Sequence, residues 1–326
     1  MKLIIQIPCY NEEHTLPITL AALPREAPGC DLVEWLIIDD GSTDNTVRVA
    51  QSKGVDHIIR HSHNMGLARS FMSGLDACMS LGADVIVNTD ADNQYCADDI
   101  PKLIQPILDG KANLVIGARP ISAIQHFSPL KKLLQKLGSW VVRLASKTDI
   151  PDAPSGFRAI SRHAAQRMVV FSDYTYTLET IIQAGQNNMA VTSVPIRVNR
   201  DLRPSRLVKS VFSYVRRSFI TIARIFVIYQ PFKFFGTIGG ALLLFGLVLG
   251  ARFLYYYLTG DGDGHVQSVL LSGVLLLMGF QTILVAFLAD LLSANRKLME
   301  DVRYRQYRAA EEQLVFRQEP PHEAKK

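Results

Sequence analysis

The chain has 326 residues, 48% of them hydrophobic, and a formal charge of +5 from 35 Lys and Arg against 30 Asp and Glu. That length exceeds one minimal domain and suits an α/β domain with an appended part. The four cysteines, Cys9, Cys30, Cys78 and Cys96, form no CxxC pair and no Cys/His cluster at ligand spacing, which argues against a zinc module and leaves them as reduced, mostly buried small hydrophobes of a cytosolic domain.

The first apolar run, residues 3–7, is short and β-like, and ends at Pro8 in a turn, so it reads as a strand and not as a signal peptide. Residues 15–23 have helical spacing. Residues 33–38 form a second strand, closed by Asp39-Asp40-Gly41-Ser42. A helix over 46–52, a strand over 57–60, a helix over 64–81 and a strand over 84–88 follow, then a helix over 100–108 and a strand over 114–116. Continuous apolar strands alternating with helices predict a parallel sheet covered on both faces. Such sheets bind ligands beyond the carboxyl ends of their strands. The polar clusters fall at those ends: residues 8–12, 39–44 and 90–94, and Arg119.

The excess hydropathy (mean +0.13, pI 9.0) is placed unevenly. From Arg197 to Lys233, nine Arg and Lys sit among apolar residues with Asp201 as the lone acid, and 208–229 keeps helical spacing with one basic face. This suits a helix in the headgroup layer of an anionic membrane. Residues 234–258 and 266–292 are each apolar for longer than the roughly 20 residues a bilayer needs. Their turn, 259–265, has no Lys or Arg, whereas Arg296, Lys297, Arg303, Arg305 and Arg308 follow the second run. The positive-inside rule then predicts a hairpin with both flanks in the cytoplasm, which favours membrane over nucleic acid as the partner of the basic stretch. Gly236, Gly239 and Gly240 offer a small-residue face for a second copy. The expected division is a catalytic domain over 1–205, basic amphipathic helices over 206–232, a transmembrane hairpin over 233–293, and a charged tail over 294–326 that lacks order from 311.

Asp90-Ala91-Asp92-Asn93-Gln94 carries the clearest chemistry. Two carboxylates at i and i+2 past a strand end, with the neutral oxygen of Gln94, suit Mg²⁺ or Mn²⁺ held jointly with substrate phosphates. The bland reading is a solvated turn pair. Asp39 ends a buried run and can accept hydrogen bonds from ribose hydroxyls or a base N–H. Asp40 and Ser42 can be turn formers, and Asp44 an N-cap. Asn11 and Glu12 can cap the first helix or help cradle a nucleoside. Arg119 precedes Pro120, and Asp152 lies between Pro151 and Pro154, so an ion pair and a turn are their plain roles; Asp149 is a weaker candidate. His57, His61 and His63 read as structural or surface groups.

Residues 7–12 (Ile-Pro-Cys-Tyr-Asn-Glu), Asp39 to Ser42, Asn64-Met65-Gly66 and Asp90 to Gln94, in this order, resemble family 2 glycosyltransferases with the nucleotide-sugar GT-A fold, a Rossmann-like, mostly parallel α/β sheet. Gly117-Ala118-Arg119 and residues 152–158 (Asp-Ala-Pro-Ser-Gly-Phe-Arg) resemble the dolichol-phosphate mannose synthase and bactoprenol-phosphate glucosyltransferase branch. The resemblance covers roughly the first two hundred residues and implies an inverting transfer of a hexose from a UDP- or GDP-sugar to a polyprenyl phosphate at the cytoplasmic face of the inner membrane. It implies that Pro8, Tyr10, Asn11, Glu12 and Asp39, with Asp40 and Gly66 of the same motifs, hold the nucleotide. Asp90, Asp92 and Gln94 would hold the metal and diphosphate, and Arg119 and Ser155 the acceptor phosphate. Arg200, Arg203, Ser205 and Arg206 match a basic loop over the diphosphate, although the family commonly has Lys at 206 and Gly at 203–204, and often Lys where Leu67 stands. A phosphate acceptor needs no strong base, because its second pKa is about 6. A hydroxyl acceptor such as diacylglycerol would need one, with Asp152 the best candidate. The lack of an N-terminal Gly-rich phosphate loop weighs against a nucleotidyltransferase. The intact set of Asp90, Asp92 and Gln94 weighs against a non-catalytic membrane protein that keeps the fold.

Overall fold

In the computed structural model, residues 1–120, 139–140, 142–143, 146–170, 176–200, 220, 223–224, 227–260 and 266–318 are described, with the backbone alone at 308 and 310–318. They divide into two compact units, Met1–Ser218 with Glu300–Lys326, and Phe219–Met299.

The first unit is built on a seven-stranded sheet among the described residues: β1 Lys2–Cys9, β2 Leu32–Asp39, β3 His57–Arg60, β4 Val85–Asn88, β5 Leu114–Ala118, β6 Arg158–Ser161 and β7 Val191–Pro195, in the order β3-β2-β1-β4-β6-β5-β7. The apolar runs become inner strands because helices cover both faces, leaving Leu3, Ile4, Ile5, Ile7, Leu36, Ile37 and Ile38 without solvent contact. β1 and β2 are longer than their apolar cores because parallel pairing carries the backbone from Lys2↔Leu32 through to Cys9↔Asp39. The sheet is mostly parallel, but β6 runs antiparallel to both β4 and β5. That reversal brings the start of β6 to the edge where β4 and β5 end.

Helices α1 Leu16–Ala22, α2 Thr46–Ser52, α3 Leu67–Ser80 and α4 Ile100–Leu108 alternate with the first five strands, and α5 Arg162–Arg167 and α6 Thr177–Gln186 follow β6. The expected helix over 64–81 begins only at Leu67, because Gly66 takes a φ of +92° that no helix contains.

In the second unit, α7 (Pro231–Leu258) and the first part of α8 (Val266–Gln318) match the two apolar runs. Their best 18-residue windows have mean hydropathies of 2.1 and 2.3 and are only 11% and 17% buried, so both are long and apolar enough to cross a bilayer and differ from mostly buried core helices. Small residues let the two helices approach. A Cβ on Gly239 would lie 3.0 Å from the Gly279 carbonyl oxygen, and the Ser272 hydroxyl donates to the Gly246 carbonyl at 2.7 Å. Gly239 therefore packs within the hairpin, while a Cβ on Gly240 would meet nothing within 4 Å. Most of the basic stretch 206–232 lies outside the described residues.

From Glu300, α8 belongs to the first unit. Arg303 and Tyr307 both donate to Asp76 on α3, at 2.6 and 3.0 Å, and Arg167 of α5 lies over the Tyr304 ring. Helical backbone continues to Gln318, beyond residue 311 where an unstructured tail was expected.

Candidate active site

The sheet register collects the site. Cys9 and Asp39 are paired at the ends of β1 and β2, Asn88 at the end of β4 faces Arg158 at the start of β6, and Ala118 at the end of β5 faces Pro195. All the polar clusters named above among the described residues leave from this one edge.

On the β1–β2 side, two loops are laced together. Asn11, in a left-handed conformation (φ +54°), donates its N–H to Ser42 Oγ at 2.9 Å and accepts from Thr43 N at 2.8 Å. Glu12 N donates to Thr46 Oγ1, and the Glu12 carboxylate accepts from Thr15 at 2.5 Å. Asn11 and Glu12 thus join loops, and Thr15 stands at the start of α1. Asp44 accepts from the first amide of α2, Thr46 N, at 3.0 Å, although Asn45 occupies the boundary position. Tyr10 is 40% exposed. Pro8, one residue before the end of β1, is half-buried.

Asp39 is fully buried. One carboxylate oxygen accepts from Ser42 N at 3.1 Å, and the other has no hydrogen-bond donor among the described residues, with Arg60 Nε 3.3 Å away. Asp40 serves the scaffold: it accepts from Met65 N and Gly66 N at 2.8 and 2.9 Å and pairs with His61 at 2.8 Å, while His61 reaches Ser73 with its other nitrogen. Burial opposes ionisation of Asp40, but the His61, Met65 and Gly66 contacts outweigh it and hold its carboxyl below the usual range. Gly41 (φ +71°) completes this brace, since a Cβ there would lie 2.5 Å from the His63 carbonyl carbon. Gly41→Ala is expected to cost about 2 kcal/mol from the left-handed backbone and the displaced loop, a fall of about 4–8 °C in thermal melting.

After β4, Asn93 (φ +55°) turns the chain and Gln94 N donates to Asp92 at 3.2 Å, so the loop curls around its two carboxylates. Desolvation, reinforced by the like charge of Asp92, pushes the Asp90 carboxyl up to about 7. The two carboxylates repel one another, which is the setting in which a divalent cation is favoured. Among the described residues no group of three or more His, Cys, Asp or Glu is assembled. Two hard carboxylates and an amide oxygen, short of a complete shell, fit an Mg²⁺ or Mn²⁺ ion that takes its remaining ligands from phosphate and water.

The opposite wall comes from β5 and the loop before β6. Arg119 and Asp152, 33 residues apart, form a buried two-pronged ion pair: Nε–Oδ2 2.7 Å and Nη2–Oδ1 3.0 Å, with side chains 8% and 1% exposed. The backbone N–H of Arg119 also donates to Asp152. Ser155 is buried and its hydroxyl has no partner among the described residues. Asp149, by contrast, is solvent-exposed and pairs with Arg143. Gly156 lies against the acidic loop, since a Cβ there would be 3.1 Å from Asp90 Oδ2.

Several residues of this wall carried no individual role in the sequence reading. Tyr95 accepts from Gly156 N at 2.9 Å, and Asn88 donates to the Gly156 carbonyl and to Tyr176 at 2.9 and 2.8 Å. Gln6 donates to Asn88 at 2.9 Å. The available signal was a lone amide inside each of two apolar strands, Gln6 in β1 and Asn88 in β4.

The segment leaving β7 is tied to the acidic loop. Tyr95 bridges Val198, Asn199 N donates to the Gln94 carbonyl at 2.8 Å, and Arg197 grips Asp99. Arg200 follows directly and is exposed. Arg203, Ser205 and Arg206 lie outside the described residues. Burial raises the Asp99 carboxyl, but hydrogen bonds from Arg197 and Lys102 outweigh it and hold the group at about 2. With an ordinary value of 3.8, this contribution to stability is complete above that pH and disappears as pH falls through about 2. Asp99→Asn is therefore expected to melt earlier than wild type at neutral pH, and the gap is expected to narrow between pH 4 and 2 in a melting series.

The family model for Glycosyl transferase family 2 matches residues 4–169, which contain every one of these site loops except the segment after β7. The chain belongs to glycosyl transferase family 2. It is similar to the UDP-N-acetylglucosamine–dolichyl-phosphate N-acetylglucosaminyltransferase of Methanococcus voltae, 32% identical over 59% of this chain and 83% of that one. It is also similar to the polyprenol monophosphomannose synthase of Mycolicibacterium smegmatis, 26% identical over 63% of this chain and 81% of that protein. Among solved structures, glucosyl-3-phosphoglycerate synthase from Mycobacterium tuberculosis aligns with a TM-score of 0.55 at 20% identity, covering 69% of this chain and 79% of that one. This is the GT-A fold expected above, and the chain is a family 2 glycosyltransferase.

Proposed function

We propose that the enzyme transfers a hexose from a UDP- or GDP-sugar to a polyprenyl phosphate, undecaprenyl or dolichyl, with inversion at the anomeric carbon. The observation that carries this reading is the juxtaposition across Gly156. The loop of the two carboxylates Asp90 and Asp92 lies on one side, and the loop bearing Asp152 and Ser155, joined to Arg119, on the other. The dolichyl phosphate in the name of one relative above and the polyprenol monophosphomannose in the name of the other support the same choice.

In this reading the laced β1 and β2 loops, with Tyr10, Asn11, Glu12 and Asp39, receive the nucleoside. Asp90, Asp92 and Gln94 hold Mg²⁺ or Mn²⁺, which when bound neutralises the departing nucleoside diphosphate. Arg119, oriented by Asp152, and the Ser155 hydroxyl hold the acceptor phosphate. A phosphate oxygen, ionised near neutral pH, forms the new bond to the anomeric carbon as the bond to the diphosphate breaks, so no protein base is required. Asp152 places both oxygens on Arg119, which argues against its serving as the base that a hydroxyl acceptor would need. The Lys- and Arg-rich flank after α8's apolar part, against a turn without either, supports a cytoplasmic catalytic unit and an inner-membrane hairpin.

The test is transfer from radiolabelled UDP- and GDP-sugars to undecaprenyl or dolichyl phosphate, with Mg²⁺ or Mn²⁺ against EDTA. Metal-dependent labelled lipid from one donor is the expected result. No labelled lipid from any donor would move the acceptor to a neutral lipid hydroxyl.

A further inference from the structure

The loop 152–156 is held by one residue that the proposed chemistry does not use. Arg158, at the start of β6, has no solvent contact. A buried guanidinium is costly unless it is paired, and an apolar side chain of similar volume would fill the space more cheaply. Among the described residues Arg158 forms no ion pair with a carboxylate. Its donors go instead to three oxygens: the Thr177 carbonyl at 3.2 Å, Thr180 Oγ1 at 2.6 Å, and the Ser155 carbonyl. Its guanidinium also lies 5.1 Å from the centre of the Tyr176 ring, which is stacked on Phe71 at 3.8 Å.

What a planar fork does here, and an apolar residue cannot, is fix three acceptors of two separate segments at once. Two belong to α6, and α6 is itself anchored, since Gln183 accepts from Val169 N at 3.0 Å and donates to Glu300 at 3.2 Å. The third is the backbone of Ser155, whose hydroxyl is buried and has no partner among the described residues. From the other side, Gly156 is clamped by Tyr95 and Asn88. The peptide between Ser155 and Gly156 therefore has both ends fixed, and Arg158 is the hold at Ser155.

We propose that Arg158 is a positioning residue for the acceptor phosphate: by fixing the Ser155 carbonyl to α6 it sets the direction of the Ser155 hydroxyl. This rests on the reading of Arg119 and Ser155 as the acceptor site, so the experiment tests the two separately. Full-length protein in detergent is titrated with farnesyl phosphate, a short polyprenyl phosphate, and separately with UDP and GDP in Mn²⁺. Arg158→Lys keeps the charge and loses the fork. Thr180→Val keeps Arg158 and removes one acceptor, and decides the question should the lysine variant not fold. Ser155→Ala reports on the acceptor site itself.

The expected result is farnesyl phosphate affinity weakened about tenfold in Arg158→Lys and about threefold in Thr180→Val, with nucleotide affinity within about twofold of wild type. A part in general stability alone would leave both affinities of the folded variants unchanged or lower them together, and either pattern overturns the positioning role. Wild type that binds no farnesyl phosphate, or Ser155→Ala that binds it as wild type does, overturns the acceptor reading and the proposal with it. Ser155→Ala weakened while folded Thr180→Val and Arg158→Lys bind normally overturns the positioning role alone.

Discussion

Asp92→Ala is expected to lower sugar transfer by about 10²–10³-fold, the usual effect of removing one group that stabilises charge developing in the transition state. The direct structural cost is small, because Asp92 sits on a partly exposed loop and caps Gln94 N within it. Its removal also takes away the like charge that, after desolvation, keeps the Asp90 carboxyl near 7. The variant should therefore melt at or slightly above the wild-type temperature while losing both transfer and the Mn²⁺-dependent part of nucleotide affinity. Those three measurements separate a metal-site role from a turn role. A variant that kept a tenth or more of wild-type transfer would return Asp92 to the solvated turn pair that its spacing alone allows.

The sequence was most informative where one physical rule acted on one short segment. Strands β1, β2, β4 and β5 are built on mostly apolar runs bounded by polar strand ends, and helices α2 and α4 cover the same residues that their apolar spacing predicts. β6 and β7 gave no such signal. Arg158-Ala-Ile-Ser is four residues with a charged start, and β7 holds Thr192 and Ser193, so neither stands out against turns. The antiparallel direction of β6 depends on which strands it pairs with, and no local period encodes that. The site divides in the same way. The acidic loop was legible because Asp90 and Asp92 are two apart after an apolar strand. The pairing of Arg119 with Asp152 joins residues 33 apart and depends on β6 entering between β4 and β5. Asp40 looked like a nucleotide ligand or a turn former, and its oxygens in fact brace Met65, Gly66 and His61, contacts set by the packing of β3 and α3.

That long-range pair gives the largest expected effect on stability. Arg119→Ala leaves the Asp152 carboxylate, 1% exposed, without its counter-charge, and breaking a buried pair from one side costs about 3–5 kcal/mol. The pair's own net contribution is much smaller, because desolvating both ions offsets most of their attraction. Adding Asp152→Ala to Arg119→Ala is therefore expected to restore most of the lost stability in denaturant titrations. Activity should respond differently. If Arg119 holds the acceptor phosphate, transfer stays low in the double variant although the fold has recovered, and the acceptor KM rises while nucleotide affinity stays near wild type. If Arg119 served only to neutralise Asp152, transfer would recover together with stability. The double variant thus separates the two roles that a strand-end arginine beside a buried carboxylate can have.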